Sequence, residues 1–355
     1  MDDVVFKIKR RTISLLEEEL LDIQPQITEE SSYLAITKSR KIIEINTKQG
    51  FINTEFSIDS EDLDFELDVS ILISPNRNII AVFNTCGRLG LVIDLLLKKI
   101  IMRFGRDDYY YEQTIFPVSF FRHDNQILLI HGTKWNRLDI TNPLTGEVLT
   151  SRVDPEFKMI NKEPVFSEHY LDYFHGHLLV SPNNEWVVDN GWEWHPVGFV
   201  TTWNIKKWIT DNRWESEDGE SKKTLWWGKE DWNDPMCWLS NTTVGISGKF
   251  DIGLYDEEDS LNLPKGFLFR IFDVCDGSML GEFEICNGKL YFDTYLFCSS
   301  QDNGLQVYDI SNGKVIFEEK TIKPWVYNRA SKEFLEITNS GIIICKLIEE
   351  ECNLS

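Results

Sequence analysis

The sequence predicts an all-β fold, a seven-bladed β-propeller of four-stranded antiparallel blades, from three observations. A short apolar strand that carries one polar residue, followed by a tight turn and a second strand, recurs seven times along the 355 residues. The recurrences are about 50 residues apart, which is typical of propellers and solenoids. Aromatic residues, including 22 Phe and 12 Trp, form 13% of the chain, and aromatic side chains favour strands.

Each recurrence is centred on an anchor strand, in which the polar residue stands between or after apolar ones. The seven anchor residues are Glu44, Asp94, Asp139, Asn204, Asp273, Asp309 and Lys346. A polar turn, such as 74–78, and an apolar strand precede the anchor, and a turn that usually ends in Gly follows it. Short strands separated by Gly, Pro, Asn, Asp and Ser are typical of antiparallel meanders, so the anchor is expected on the third strand of each blade.

The first and last segments of the chain are expected to share one blade. The last repeat is short and ends near Leu347, whereas residues 4–8 form an isolated strand pattern. If this N-terminal strand joins the blade that holds Lys346, the ring closes and no open sheet edge remains at the seam. The best candidate for a helix is the stretch 13–21, which has helical periodicity.

The repeat resembles the WD40 family over nearly the whole chain. The resemblance rests on the turn Ser-Pro-Asn, at 74–76 and 181–183, which is followed by an apolar strand and then by the strand–Asp–strand of the anchor. Trp203-Asn204 is the nearest anchor to the family's Trp-Asp dipeptide, and a Gly-His pair occurs once, at Gly176-His177. The stretches 176–182 and 194–198 are similar to those of uncharacterised bacterial WD40-like proteins. No anchor carries the Trp-Asp dipeptide and Gly176-His177 stands close to Ser181, so the resemblance implies the four-stranded blade without the family's His–Asp hydrogen-bonded network.

Residues 1–355 are expected to form one domain, with long loops at about 154–176 and 206–236 and a short disordered C-terminal tail. The net charge of −22 argues against nucleic acid and anionic membranes as partners, because both require a basic surface. The same charge favours a basic protein or peptide partner, although it also serves solubility alone. The seven cysteines show no paired spacing and the chain has neither a signal-like start nor a membrane-length apolar run, which predicts a cytoplasmic protein.

Ten of the 12 tryptophans fall between Trp186 and Trp238. Tryptophan is enriched at interfaces, so this segment predicts an aromatic recognition surface; the alternative is that the long loops need a small core of their own. The predicted binding residues are Trp192, Trp194, His195, Trp214, Trp226, Trp227 and Trp232. Of these, Trp192, Trp194 and Trp232 are expected to be exposed, whereas Trp186 and Trp203 follow strand patterns and are expected in the core.

Two further groups suggest chemistry, each with a structural alternative. His175 and His177 have the i, i+2 spacing that allows two imidazoles on one side of a strand to hold a metal, but no zinc motif accompanies them, and structural hydrogen bonding is the alternative. Asp189, Glu193 and His195 offer an acid–base pair in an insertion before Trp203, whereas a hairpin bonded to its own backbone needs no such role. No cofactor is expected.

The acidic, aromatic run 107–112 also lies between two blades, where it can line a cationic pocket or form an ordinary solvated loop. Together these observations predict a non-enzymatic scaffold that binds a protein or peptide through Trp-rich loops. The alternative is a small-molecule binder or hydrolase at the mouth of the central channel, with Asp189, Glu193 and His195 as its acid–base groups.

Overall fold

The computed structural model describes residues 5–14, 18–26, 31–155, 157–161, 163–194, 196–229, 232–249, 266–338 and 341–350. These residues form a ring of seven antiparallel sheets. The first strand, β1 (Val5–Ser14), belongs to the seventh blade. The first blade contains β2 (Leu20–Pro25), β3 (Ser32–Thr37), β4 (Lys41–Asn46) and β5 (Phe51–Ser57). The second contains β6 (Val69–Ile73), β7 (Ile79–Asn84), β8 (Leu89–Asp94) and β9 (Lys99–Gly105).

The third and fourth blades carry the largest departures from the repeat. A 3₁₀ helix, Tyr111–Gln113, precedes the third blade, which has three strands: β10 (Val118–His123), β11 (Gln126–Lys134) and β12 (Arg137–Thr141). Its outer edge carries a single bridge, Thr141 to Val148. A separate hairpin follows, formed by β13 (Phe157–Ile160) and β14 (Glu163–Phe166). The fourth blade contains β15 (Phe174–Val180), β16 (Trp186–Glu193), β17 (Val197–Asn204) and β18 (Lys223–Lys229), with α1 (Ile205–Thr210) and α2 (Glu215–Asp218) before its last strand.

The last three blades are regular. The fifth contains β19 (Met236–Trp238), β20 (Thr243–Lys249), β21 (Phe267–Asp273) and β22 (Met279–Ile285). The sixth contains β23 (Lys289–Phe292), β24 (Leu296–Ser300), β25 (Gly304–Asp309) and β26 (Lys314–Glu319). The seventh contains β27 (Val326–Asn328), β28 (Glu333–Thr338) and β29 (Gly341–Glu350), and β1 adds its fourth strand.

The core is divided among the blade interfaces. The buried apolar residues of the described chain fall into seven clusters, and each cluster joins two neighbouring blades. The cluster between the third and fourth blades, for example, joins Leu138 and Ile140 to the fully buried Trp203 and Trp208. A single sheet leaves one apolar face uncovered, so this distribution explains why stability requires the whole ring.

The predicted closure by the N-terminal strand is confirmed. The strand β1 pairs with β29 along its whole length, from Val5 opposite Glu350 to Ser14 opposite Gly341. This pairing places Lys9 opposite Lys346, the residue of the last anchor. The predicted number of blades is also confirmed, and every anchor residue lies on the third strand of its blade.

Most anchor residues stabilise the turn that follows their strand. The Asp94 carboxylate accepts hydrogen bonds from the backbone N–H groups of Leu96 and Leu97, both at 2.9 Å, and Asp309 accepts one from Ser311 at 2.9 Å. Such local bonds stabilise a turn at the expense of strand continuation. Glu44 and Asp139 lie inside their strands instead. In these two blades, Asn46 and Asn142 accept the hydrogen bonds from the turn.

Two local expectations are wrong. The helix expected at 13–21 does not form at its described ends, because residues 13–14 close β1 and residues 20–21 open β2. The segments 154–176 and 206–236, expected as long loops, contain a β-hairpin, parts of two helices and the strand β18. The expected disordered tail at 351–355 lies outside the described residues. Within the described residues, no helix has the length and apolar character to cross a membrane.

Candidate functional site

A cavity of about 540 Å³ opens beside the third and fourth blades. Five segments line it: the connection after β9, the turn between β11 and β12, the β13–β14 hairpin with its flanking residues, the tip of the β16–β17 turn, and α2 in the connection between β17 and β18. All five lie between the strands of the blades, so the rigid blades position a cavity whose walls belong to the variable parts of the repeat.

The connection after β9 is held firmly in place. The buried Arg106 guanidinium donates to the Tyr111 carbonyl at 2.7 Å and to the Thr114 carbonyl at 3.0 Å. On the opposite side, the Trp232 indole N–H donates to the Gln113 carbonyl at 2.7 Å. These bonds fix the segment that presents Asp107 and Tyr109 to the cavity, as the sequence of 107–112 had suggested.

An aromatic stack leads from the core to the cavity rim. Trp192 and Phe174 lie face to face with ring centroids 4.2 Å apart, and Phe174 in turn stacks on Tyr109 at 5.7 Å. Trp194 meets Tyr110 edge to face at 4.7 Å. Tyr109 and Trp194 keep 43% and 36% of their surface exposed. The rim therefore offers exposed rings that the buried rings hold in fixed orientations.

Carboxylates outnumber cations around the cavity. Asp107, Asp154, Asp172 and Glu217 line it, whereas the lining cations are Lys134 and Arg137. Both cations bind Asp154, with the Lys134 Nζ to Asp154 Oδ2 distance at 2.7 Å. Asp107 accepts a hydrogen bond from the Trp135 backbone N–H at 3.0 Å, and burial raises the pKa of the Asp107 carboxyl.

A buried ion network forms the floor next to these residues. Arg152 binds Asp139 Oδ1 at 2.9 Å and also contacts the Glu217 carboxylate of α2, and all three side chains are almost fully buried. The Arg152 guanidinium lies over the Trp214 ring, and the His169 ring stacks on Trp214 with ring centroids 4.6 Å apart. The network ties α2 to the third blade, so removing one partner would leave an uncompensated buried charge.

The structure agrees with some of the expectations for the tryptophans and contradicts one. Trp194 lies at the cavity rim as expected, and Trp203 lies in the core as expected. Trp192, expected to be exposed, is only 3% exposed because Phe174 and Trp232 cover its two faces; that expectation is wrong. Trp232 is itself half-buried, and Trp186 is partly buried against the core.

The remaining predicted binding tryptophans lie away from the rim. Trp214 is half-buried in the floor network, and the Trp226 ring packs against the Arg270 guanidinium at 3.6 Å. Trp227 is 47% exposed on the outer strand β18, but it does not line the cavity. His195 lies outside the described residues. The structure thus brings one of the predicted tryptophans to the cavity edge and leaves the others elsewhere.

The histidine and acid–base candidates meet in one buried pair. A bulge in β15 turns His175 toward β16, where its Nδ1 lies 2.5 Å from Asp189 Oδ2. The other Asp189 oxygen accepts the Gly176 backbone N–H at 3.0 Å, and both side chains are fully buried. Gly176 is needed there, since a Cβ would lie 2.0 Å from the Asn190 carbonyl oxygen.

This pair bears on the two chemical alternatives, an acid–base site and a metal site. Asp189 uses both oxygens inside the blade, so it is not available as an acid or base toward a substrate. His175 has a carboxylate partner, and the described residues contain no group of three His, Cys, Asp or Glu suited to a metal. His177 is largely buried, which lowers its pKa. Glu193 is half-buried, and burial raises the pKa of its carboxyl.

Sequence reasoning missed Trp135 and the β13–β14 hairpin. Trp135 lines the cavity and packs on Phe174 with centroids 4.5 Å apart. The hairpin is apolar yet exposed at five positions: Phe157, Met159, Ile160, Val165 and Phe166. The sequence does contain a signal for this hairpin, since apolar residues cluster at 157–160 and 165–166 inside the segment predicted as a loop.

No protein-family model matches this chain, and no curated protein matches it either. The architecture itself defines the class: the chain is a seven-bladed β-propeller whose blades are compatible with a WD40-like repeat. Six cysteines of the described residues are free.

Proposed function

We propose that this propeller is a non-enzymatic scaffold that binds a basic segment of a partner protein at the cavity beside the third and fourth blades. The observation that carries the proposal is the combination of exposed aromatic rings with an excess of carboxylates around one cavity. We also propose that the chain is a WD40-like protein of the cytoplasm, where its cysteines remain reduced.

The cavity suits a cationic side chain. Lysine and arginine bind the faces of Trp and Tyr, with about 0.5–2 kcal/mol per contact depending on how far water is excluded. Tyr109 and Trp194 supply such rings, and Asp107 and Asp172 supply negative charge that the lining cations leave unmatched. An anionic ligand would be repelled by this negative charge, because Lys134 and Arg137 are already bound to Asp154.

The adjoining surface suits a polypeptide. The β13–β14 hairpin borders the cavity and exposes its apolar side chains on both strands. Exposed apolar patches of this kind mark interaction surfaces, and a two-stranded hairpin has free edges to which an extended peptide can add. A lysine or arginine of the partner would enter the cavity while flanking residues cover the hairpin.

The test uses a fluorescein-labelled peptide of alternating lysine and serine, with fluorescence anisotropy as the readout. We expect saturable binding, and we expect Trp194→Ala and Asp107→Asn each to weaken it about fivefold, since each removes about 1 kcal/mol of cation binding. Asparagine keeps an acceptor for the Trp135 N–H, so Asp107→Asn changes charge more than structure.

The matched control is Trp325→Ala. Trp325 is 37% exposed, close to the 36% of Trp194, but it does not line this cavity. The proposal fails if a glutamate–serine peptide binds as tightly, or if Trp194→Ala binds like the parent protein. It also fails if Trp325→Ala weakens binding as much as Trp194→Ala does.

The pH dependence gives a second readout of the same site. A cationic peptide requires the ionised Asp107, and burial raises the pKa of this carboxyl. Affinity should therefore be complete well above that raised pKa and fall as the pH drops through it, at a higher pH than for an exposed aspartate. Asp107→Asn should remove this part of the pH profile.

A further inference from the structure

A second cavity, of about 430 Å³, lies in the groove between the seventh and first blades, where the ring closes. Five of its eight lining residues are cations, although the protein as a whole carries a net charge of −22. These cations are Lys9, Arg10, Arg11, Lys48 and Lys346. A positive groove on so acidic a molecule is the opposite of what overall charge predicts.

Strand pairing accounts for this concentration of charge. Lys9 lies directly opposite Lys346, and Arg11 lies opposite Ile344, so the three basic residues share one face of the blade. That face is directed at the first blade, as shown by the packing of its neighbours Ile13, Ile342 and Ile344 against first-blade residues. Lys48 reaches the groove from the turn between β4 and β5. Like charges directly opposite in a sheet are destabilising.

Among the described residues that line the groove, one carboxylate, that of Glu333, contacts Arg11 and Lys346. Glu333 Oε1 lies 3.2 Å from Arg11 Nη2 and 3.4 Å from Lys346 Nζ. The same carboxylate accepts hydrogen bonds from Thr47 at 3.0 Å and Ser331 at 3.1 Å, so it is held in place and shared. Burial opposes its ionisation, but the hydrogen bonds and Lys346 prevail and lower the pKa of Glu333.

Arg10 belongs to the other face of β1. Its guanidinium lies 3.3 Å from Glu319 Oε1 and donates to Thr321 Oγ1 at 2.5 Å. The charge of Arg10 is therefore compensated outside the groove.

We propose that this groove binds an anion with more than one phosphoryl group, such as a diphosphate. Lys9, Arg11 and Lys346 leave an excess of positive charge that a single carboxylate ligand would only partly neutralise. A multiply charged anion can contact several cations at once. The Arg11 guanidinium donates from Nη1 to the Thr47 carbonyl and from Nη2 to Glu333, so its charge is held in a fixed position at the wall of the groove. Binding would also relieve the repulsion between Lys9 and Lys346.

The experiment titrates the full-length protein with pyrophosphate by isothermal calorimetry at low and at physiological salt. We expect one site per chain, with an affinity that falls as salt rises. Lys9→Gln and Lys346→Gln should each weaken binding about tenfold, because each removes a charge-assisted contact. Lys99→Gln should bind like the parent protein, since the exposed Lys99 lies on β9 and does not line this groove. Thermal melting of every variant without ligand checks that each is folded.

Three results would overturn the proposal: no saturable heat with pyrophosphate, equal weakening by Lys99→Gln and Lys9→Gln, or succinate binding as tightly as pyrophosphate. Titration with ADP distinguishes the source of the phosphoryl groups. Tighter binding of ADP supports a nucleotide as the ligand, and equal binding supports the diphosphate group alone. Neither result depends on the aromatic cavity, which lies on other blades.

Discussion

Neighbouring tryptophans in one hairpin illustrate what a residue type predicts and what it leaves open. Trp192 and Trp194 are two positions apart, yet the first is buried between two rings and the second lies at the rim of a cavity. Their side chains share an aromatic character that the sequence displays directly. Their exposure depends on Phe174 and Trp232, which reach Trp192 from other strands and connections.

At the same scale, the His175–Asp189 pair should matter for stability and not for catalysis. We expect His175→Ala to lower the free energy of unfolding by about 3 kcal/mol, because it leaves Asp189 buried without its partner. Urea denaturation measures the change. His123→Ala is the control, since the ion pair of His123 is with the exposed Asp124, at 3.5 Å, and its loss should cost less than about 1 kcal/mol. Equal losses in the two variants would contradict the assignment.

At the scale of elements, the anchor strands were predictable and the insertions were not. The anchors carry their own signal, since an apolar strand, a polar residue and a turn are adjacent in the chain. The sequence signal of the β13–β14 hairpin is weaker, because its apolar side chains do not face a core. Apolar periodicity reports burial, so an exposed apolar hairpin is easily interpreted as a loop.

The exposure of that hairpin leads to a prediction about its dynamics. A two-stranded hairpin is marginally stable in water, so its amides should exchange faster than those of β16 and β17, which lie inside a four-stranded blade. Hydrogen exchange followed by mass spectrometry makes this comparison. Adding the lysine–serine peptide should slow exchange in 157–166 and leave β25 unchanged. An equal change in both segments would argue against the hairpin as part of the binding surface.

At the scale of the molecule, ring closure joins the two ends of the chain. Deleting residues 1–14 would remove the partner of β29 and uncover part of the cluster between the sixth and seventh blades, which contains Phe6 and Phe297. We expect the melting temperature to fall by about 10 °C and the truncated protein to aggregate through its open edge. A synthetic peptide of residues 1–14 should restore part of the loss, whereas a scrambled peptide should not. An unchanged melting temperature would mean that closure contributes little.

The sequence alone determined the number of blades, the order of their strands and the closure of the ring. The number of blades and the order of their strands follow from apolar alternation and turn residues, which act between neighbours along the chain. The closure follows from the isolated N-terminal strand pattern and the short last repeat. The tertiary structure alone decided which tryptophan lies at the cavity rim, that Asp189 is buried with His175, and that Lys9 and Lys346 are paired on one face beside a groove. Those outcomes depend on contacts between residues tens to hundreds of positions apart, for which a local pattern carries no signal.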